Sequence, residues 1–324
     1  MIKISSALLF ALLVQQAVTA QTRNINGSVI DGSGNSLSYV FVEDGQHKIA
    51  AYSDSTGHFT IAVHPDSKLR VQLPGYKDTL VTPGSNGTDL QVALKQNGSG
   101  ANSSAGSLSA HVSEVRNDNN QLESMTMGGV LAPAHQRGDL RGSPYLFENF
   151  VHGYIVNSSN ELIHNPGYLF DYEKSSGRLL MTQDRNRINA VNWDQINTFT
   201  LFNNAGERFD FAKVPSIDQS HYVLVLASGP KYKIYKLITT KFVKADYVNN
   251  GAAPHGHDYD EYVDDADYYV LDAQTNQPVK ISLRKKSLKE AFAKDADKLN
   301  KFMSETSGRI DDAYLAKLGT AMNQ

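Results

Sequence analysis

The residues best equipped for chemistry lie together in Lys231–Leu271. A basic, aromatic run (KYKIYKLITTKFVKADYV) leads into an acidic loop with two histidines (HGHDYDEYVDDAD), and a second aromatic run (DYYVL) follows. Imidazole and carboxylate bind zinc, nickel, calcium or manganese, according to how many oxygens converge. His255, His257, Asp258 and Asp260 form the candidate metal set, and a chain without cysteine has no thiolate to compete. Their spacing matches neither the helical H-E-x-x-H pair nor the EF-hand calcium loop. The competing reading is an acidic hairpin tip in water, balancing Lys231, Lys233, Lys236, Lys241 and Lys244 of the neighbouring run.

Two aromatic residues are candidates for ligand binding. Tyr232 and Ile234 share one face of their strand, and Lys231 and Lys233 share the other, so a Lys/Tyr groove could take an anion or a polysaccharide. The Tyr235/Leu237 series is then shifted by one residue, which calls for a β-bulge or for a strand buried on both sides. Trp193, the one tryptophan, is either a sugar-stacking platform or part of the core.

Signatures of catalysis are missing. There is no G-x-S-x-G elbow, and no phosphate-binding or dinucleotide fingerprint follows a strand and opens a helix. The H-x-x-E pattern of zinc carboxypeptidases occurs once, at His111–Glu114, beside a low-complexity stretch and with no third ligand downstream. No pair stands out among the 34 acidic residues as a glycosidase dyad. The expectation is a protein with no catalytic residue and no cofactor.

The elements that must position these residues follow from composition and pattern. A chain of 324 residues with 40% apolar and 20% charged content has room for about two folded domains and is not disordered throughout. A formal net charge of -3 provides no basic face for nucleic acid. Residues 1–20 read as a signal peptide, with Lys3, an apolar run over Ala7–Val14 and the small residues Val18 and Ala20 before the cut. The chain is therefore expected to be exported, in the periplasm, at the outer membrane or secreted, with no membrane span after cleavage.

Residues 23–95 alternate apolar and polar positions in about seven short runs separated by turn clusters, the signature of a small β-sandwich. The run Gly27-x-Val29-x-Asp31-x-x-Gly34-x-x-Leu37-x-x-Val40-x-Val42, with Ser53-Asp54-x-x-Gly57-x-Phe59, Leu69-x-Val71 and Gly75-Tyr76, resembles the carboxypeptidase-regulatory-like domain. The resemblance implies a transthyretin-like sandwich, grouped with carbohydrate-binding-like folds and abundant in exported Bacteroidota proteins. Asp31, Gly34, Asp54 and Gly57 suit tight turns. An accessory module is thus expected rather than a catalyst.

Residues 96–142 begin as a Gly/Ser-rich linker and continue as an irregular segment. Residues 143–324 read as a larger antiparallel β domain ending in one or two helices. Ser287 and Glu290 are placed as a capping box, and Leu288, Ala291, Phe292, Leu299, Phe302 and Met303 recur at helical spacing. YLFENFVHGYIVNSSNELIHNPGYLFDYEKSSGRLL and YKLITTKFVKADYV resemble an uncharacterised family of exported Bacteroidota proteins, which brings no activity with it. The expected function is a non-catalytic envelope protein with an accessory or binding role, its partner an envelope protein or a glycan. Carbohydrate binding and divalent-metal dependence through His255 and His257 are the alternatives.

Overall fold

The computed structural model describes residues 22–84, 89–97, 140–183, 187–249 and 254–324, and the strand at 124–125, with only the backbone at 124–125, 248–249 and 254–255. The signal-peptide reading, most of the expected linker and the His111–Glu114 pattern lie outside these residues. The described chain is mainly β, with three α-helices near its C-terminus.

Seven strands build the N-terminal part: β1 (Arg23–Asp31), β2 (Phe41–Asp44), β3 (Ile49–Tyr52), β4 (His58–Val63), β5 (Leu69–Gln72), β6 (Thr79–Val81) and β7 (Leu90–Leu94). They form two sheets, ordered β4-β1-β7 and β3-β2-β5-β6. Period-two alternation sends Ile25, Val29, Phe59, Ile61, Val63, Val92 and Leu94 from the first sheet onto Val42, Ala51, Leu69 and Val71 of the second. The turn aspartates act as expected. Asp31 Oδ1 accepts the Ser33 and Asn35 amides at 2.8 and 2.9 Å, and Asp54 Oδ1 accepts those of Thr56 and His58 at 2.8 and 3.0 Å.

The C-terminal part contains β8 (Ser124–Met125), β9 (Leu140–Arg141), β10 (His152–Asn157), β11 (Leu162–Ile163), β12 (Leu169–Glu173), β13 (Arg178–Thr182), β14 (Ile188–Val191), β15 (Ile196–Phe202), β16 (Arg208–Ala212), β17 (Val223–Ser228), β18 (Tyr232–Val243), β19 (Val248–Asn249), β20 (Pro254–His255), β21 (Asp260–Asp272) and β22 (Gln277–Ile281). One large sheet runs β11-β10-β15-β16-β17-β18-β21-β22, with β9 added beside β21. A smaller sheet, β12-β13-β14-β8, packs on its first half through Phe170, Tyr172, Leu179 and Met181 against Ile155, Phe199, Leu201 and Phe211. Thus Ser124–Met125, in the stretch expected to be irregular, adds a strand beside β14.

The helices α1 (Lys285–Ala291), α2 (Ala296–Glu305) and α3 (Asp312–Asn323) cover the other half of the large sheet. Leu288, Phe292, Leu299, Leu315 and Leu318 meet Tyr232, Ile234, Val270 and Ile281 there. Burying each such side chain stabilises the layer by about 1.5–3 kcal/mol. The helical spacing was legible, but its segmentation was not. The expected capping box does not form, because α1 already begins at Lys285 and Ser287 Oγ instead accepts the Ser282 amide at 3.0 Å. A 3-10 turn at Ala293–Asp295 separates α1 from α2. It sets the Asp295 carboxylate against Lys231 Nζ and the Tyr232 hydroxyl, both at 2.6 Å.

Candidate functional site

The sequence-nominated residues come first. Tyr232 is 2% exposed, its ring edge-on to Phe292 and its hydroxyl donating to Asp295, so it is not presented to a ligand. The reason is that β18 is covered on both sides. Tyr232 and Ile234 face the helices, whereas Tyr235 and Leu237 face a separate cluster with Val223 and Leu271. The pairing with β21 runs unshifted from Tyr232↔Asp272 to Val243↔Glu261, so the two-sided strand, not a bulge in β18, explains the shifted pattern. Trp193 is half-buried on the core, its ring 4.2 Å from that of Tyr222 and with Lys213 Nζ 4.6 Å from its centre.

His255 lies in β20, and its side chain is outside the described residues. His257 and Asp258 are exposed, and the His257 ring leans on Tyr259 at 4.9 Å. The loop is shaped by backbone bonds: Asp246 Oδ1 accepts the His257 amide at 2.8 Å and Asp260 Oδ1 accepts the Ala245 amide at 2.8 Å. Among the described residues no three metal-ligating side chains converge, at this loop or elsewhere.

What the sequence did not indicate is a cleft of about 620 Å³ where the N-terminal sandwich meets the β15–β16 hairpin. One wall is the outer face of β1 and β4. The register pairs Asn24 with Ala62, Asn26 with Thr60 and Ser28 with His58, and all six residues line the cleft. Thr60 Oγ1 donates to Asn26 Oδ1 at 2.9 Å, binding the two strands across this wall. The wall is polar because the same alternation that turns Ile25, Phe59 and Ile61 inward turns these residues outward.

The opposite wall is the hairpin tip, with Ala205, Gly206 and Arg208. Gly206 has φ +77°, and a Cβ there would lie 3.1 Å from the Asp54 Cβ, so glycine permits both the turn and the close approach to the sandwich. Arg208 spans the junction. Its Nε donates to both Asp210 oxygens at 2.8 Å, one Nη reaches the Ala50 carbonyl at 3.3 Å, and the other reaches the Tyr154 hydroxyl at 3.1 Å.

Beneath the cleft the two parts share one core. Tyr154, Leu162 and Phe202 from the C-terminal part belong to the same buried cluster as Phe41, Tyr52 and Phe59. His164 stacks on Phe41 with ring centres 3.5 Å apart and planes 7° apart, and its Nε2 lies 2.5 Å from the Tyr52 hydroxyl. Burial, with a smaller contribution from His152, lowers the His164 imidazole to about 3, so it is neutral at ordinary pH.

Asp54, His58 and Arg208 at the cleft already have partners, whereas the exposed carboxylate of Asp89 also lines it. Burial would raise the Asp54 carboxyl, but hydrogen bonds from Thr56 and His58 outweigh it and hold the group below its usual range. His58 Nδ1 is itself 2.9 Å from Thr56 Oγ1. A carboxylate stabilised as its anion inside a turn is a poor proton donor or acceptor. Such a surface is suited to hydrogen-bonding a polar ligand, with Asn24, Asn26, Ser28 and Thr60 supplying both donors and acceptors.

No protein-family model matches the chain, and a search of curated proteins finds no match. No helix of the described residues is long and apolar enough to cross a membrane.

Proposed function

We propose that this chain is a non-catalytic exported envelope protein that binds an uncharged polar ligand, a glycan above all, in the cleft between its sandwich and the β15–β16 hairpin. The observation that carries this reading is the ladder Asn24/Ala62, Asn26/Thr60 and Ser28/His58, laid along one wall of a cavity large enough for a few sugar units. Amide and hydroxyl groups match the hydroxyls of a sugar, and Asp54 and Arg208 are occupied by turn and junction bonds, leaving the Asp89 carboxylate as a further acceptor for sugar hydroxyls. The export-type leader and the likeness of residues 23–95 to the carboxypeptidase-regulatory-like domain support the accessory role. Trp193 and Tyr232 are not part of this site.

The test is binding of the full chain to a glycan array, followed by calorimetry on any hit with Asn26→Leu and Thr60→Val. Loss of binding in both variants, with unchanged thermal unfolding, is the expected result. Silence across the array, or hydrolysis of peptides, glycans or esters by the wild type, would overturn the proposal.

A further inference from the structure

The polar wall of the cleft does not end at β1. The parallel register that sets Gly27 beside Leu90 and Ser28 beside Gln91 brings Asp89 beside Asn26, which pairs with Thr60 on its other side. Leu90, Val92 and Leu94 of β7 turn toward the sandwich core. Alternation therefore sends Asp89, with Asn26 and Thr60, to the outer face, where all three line the cavity. Asp89 is exposed and makes no hydrogen bond or ion pair among the described residues.

Charge in the cleft is one-sided. Asp54 precedes β4 and Asp89 precedes β7, so the two carboxylates come from strands on opposite sides of β1. Hydrogen bonds from Thr56 and His58 hold Asp54 as its anion. Arg208 is the lining guanidinium, and it is fully engaged with Asp210, the Ala50 carbonyl and the Tyr154 hydroxyl. His58 has its Nδ1 on Thr56 Oγ1, and no lysine lines the cavity among the described residues.

A carboxylate without a partner is a strong acceptor, because hydrogen bonds to a charged group are shorter and stronger than neutral ones. Its two oxygens can take two adjacent hydroxyls of one sugar ring. Beside it Asn26, whose Oδ1 is taken by Thr60, offers its amide N–H groups as donors. An acidic sugar meets the opposite situation, since like charges brought together across a binding surface select against that ligand.

We propose that Asp89 sets the specificity of the cleft: it anchors adjacent hydroxyls of a neutral glycan and, with Asp54, turns away glycans that carry carboxylates. This selectivity rests on the glycan reading of the cleft, and its test separates the two.

Calorimetry on the full chain at low salt would compare neutral gluco-, manno- and galacto-oligosaccharides with the same chains oxidised at the primary hydroxyl to uronates. The wild type is expected to bind a neutral member at least about tenfold more tightly than its uronate. Asp89→Asn, with unchanged thermal unfolding, is expected to weaken the neutral glycan about tenfold and to tighten the uronate. A general loosening of the wall does not produce opposite signs in one variant. Added salt should narrow the wild-type difference. A wild type that binds the uronate as tightly as its neutral parent overturns the selectivity and leaves the cleft reading standing. So does an Asp89→Asn variant that leaves both affinities unchanged or moves them in the same direction. No binding to either set overturns both.

Discussion

The Tyr52 hydroxyl and His164 Nε2 meet at 2.5 Å across 112 residues of sequence, and this bond joins the N-terminal sandwich to the large sheet. His164 must stay neutral to lie there, stacked on Phe41 in apolar surroundings. The unfolded imidazole takes up its proton near 6.5, whereas the folded one does so only near 3. Between these values the unfolded state binds more protons, so stability falls as pH falls through the window. The full effect is about 5 kcal/mol. Urea unfolding from neutral to acid pH should show this loss in the wild type and a flatter profile in Tyr52→Phe/His164→Phe.

Asp171 has the opposite sign. Burial raises its carboxyl to about 7, outweighing hydrogen bonds from Tyr172, Phe147 and Leu146 and the nearby Lys174. The unfolded group ionises near 3.8, so the folded state binds more protons and stability falls as pH rises from about 4 to about 7. Asp171→Asn should be the more stable protein at pH 8, by about 1–3 kcal/mol. Equal denaturant midpoints at both ends of the range would refute this.

Lys174 and Asp264 form a two-pronged salt bridge at 2.7 Å between the small sheet and β21, and the two partners are unequally buried, at 7% and 56% exposed. Removing the outer partner leaves a buried ammonium without its counter-charge. Asp264→Asn should therefore cost about 1–3 kcal/mol, and Lys174→Met less, because an apolar chain can occupy the buried position. Chemical unfolding of the two single variants decides the order.

Tyr232 lies in the core, and its substitution should act on stability. Tyr232→Ala is expected to cost about 3–5 kcal/mol. Tyr232→Phe should cost about 1–2 kcal/mol, through loss of the bond to Asp295. Ligand binding by folded Tyr232→Phe should match the wild type, and a selective loss of binding would return this residue to the site.

Gly206 holds a turn with positive φ, against the Asp54 turn. Gly206→Ala should destabilise by about 1–2 kcal/mol, since the new methyl is strained in that backbone region and presses on Asp54. Calorimetric unfolding measures it directly.

Much of this architecture is local in origin and could be read directly. The alternation of Ile25, Gly27 and Val29, the turn aspartates Asp31 and Asp54, and the run of Phe59, Ile61 and Val63 predict strands and turns, because period-two patterning acts within a few residues. The cleft has no such signature. Its residues are the ordinary polar outer face of β1 and β4, and only the arrival of the β15–β16 hairpin makes a cavity of them. Ser287 shows the same limit in the helices, since its hydroxyl was claimed by Ser282 and not by its own helix.

By itself, the order of residues determined a mainly β chain with helices at its end and the absence of thiol chemistry. These depend on composition and on short-range periodicity. Only the tertiary structure decided that β18 is covered on two faces, that Tyr232 is core, and that Tyr52 and His164 meet. Each is settled by which distant surface packs on a strand, and the free energy of that choice is summed over whole sheets.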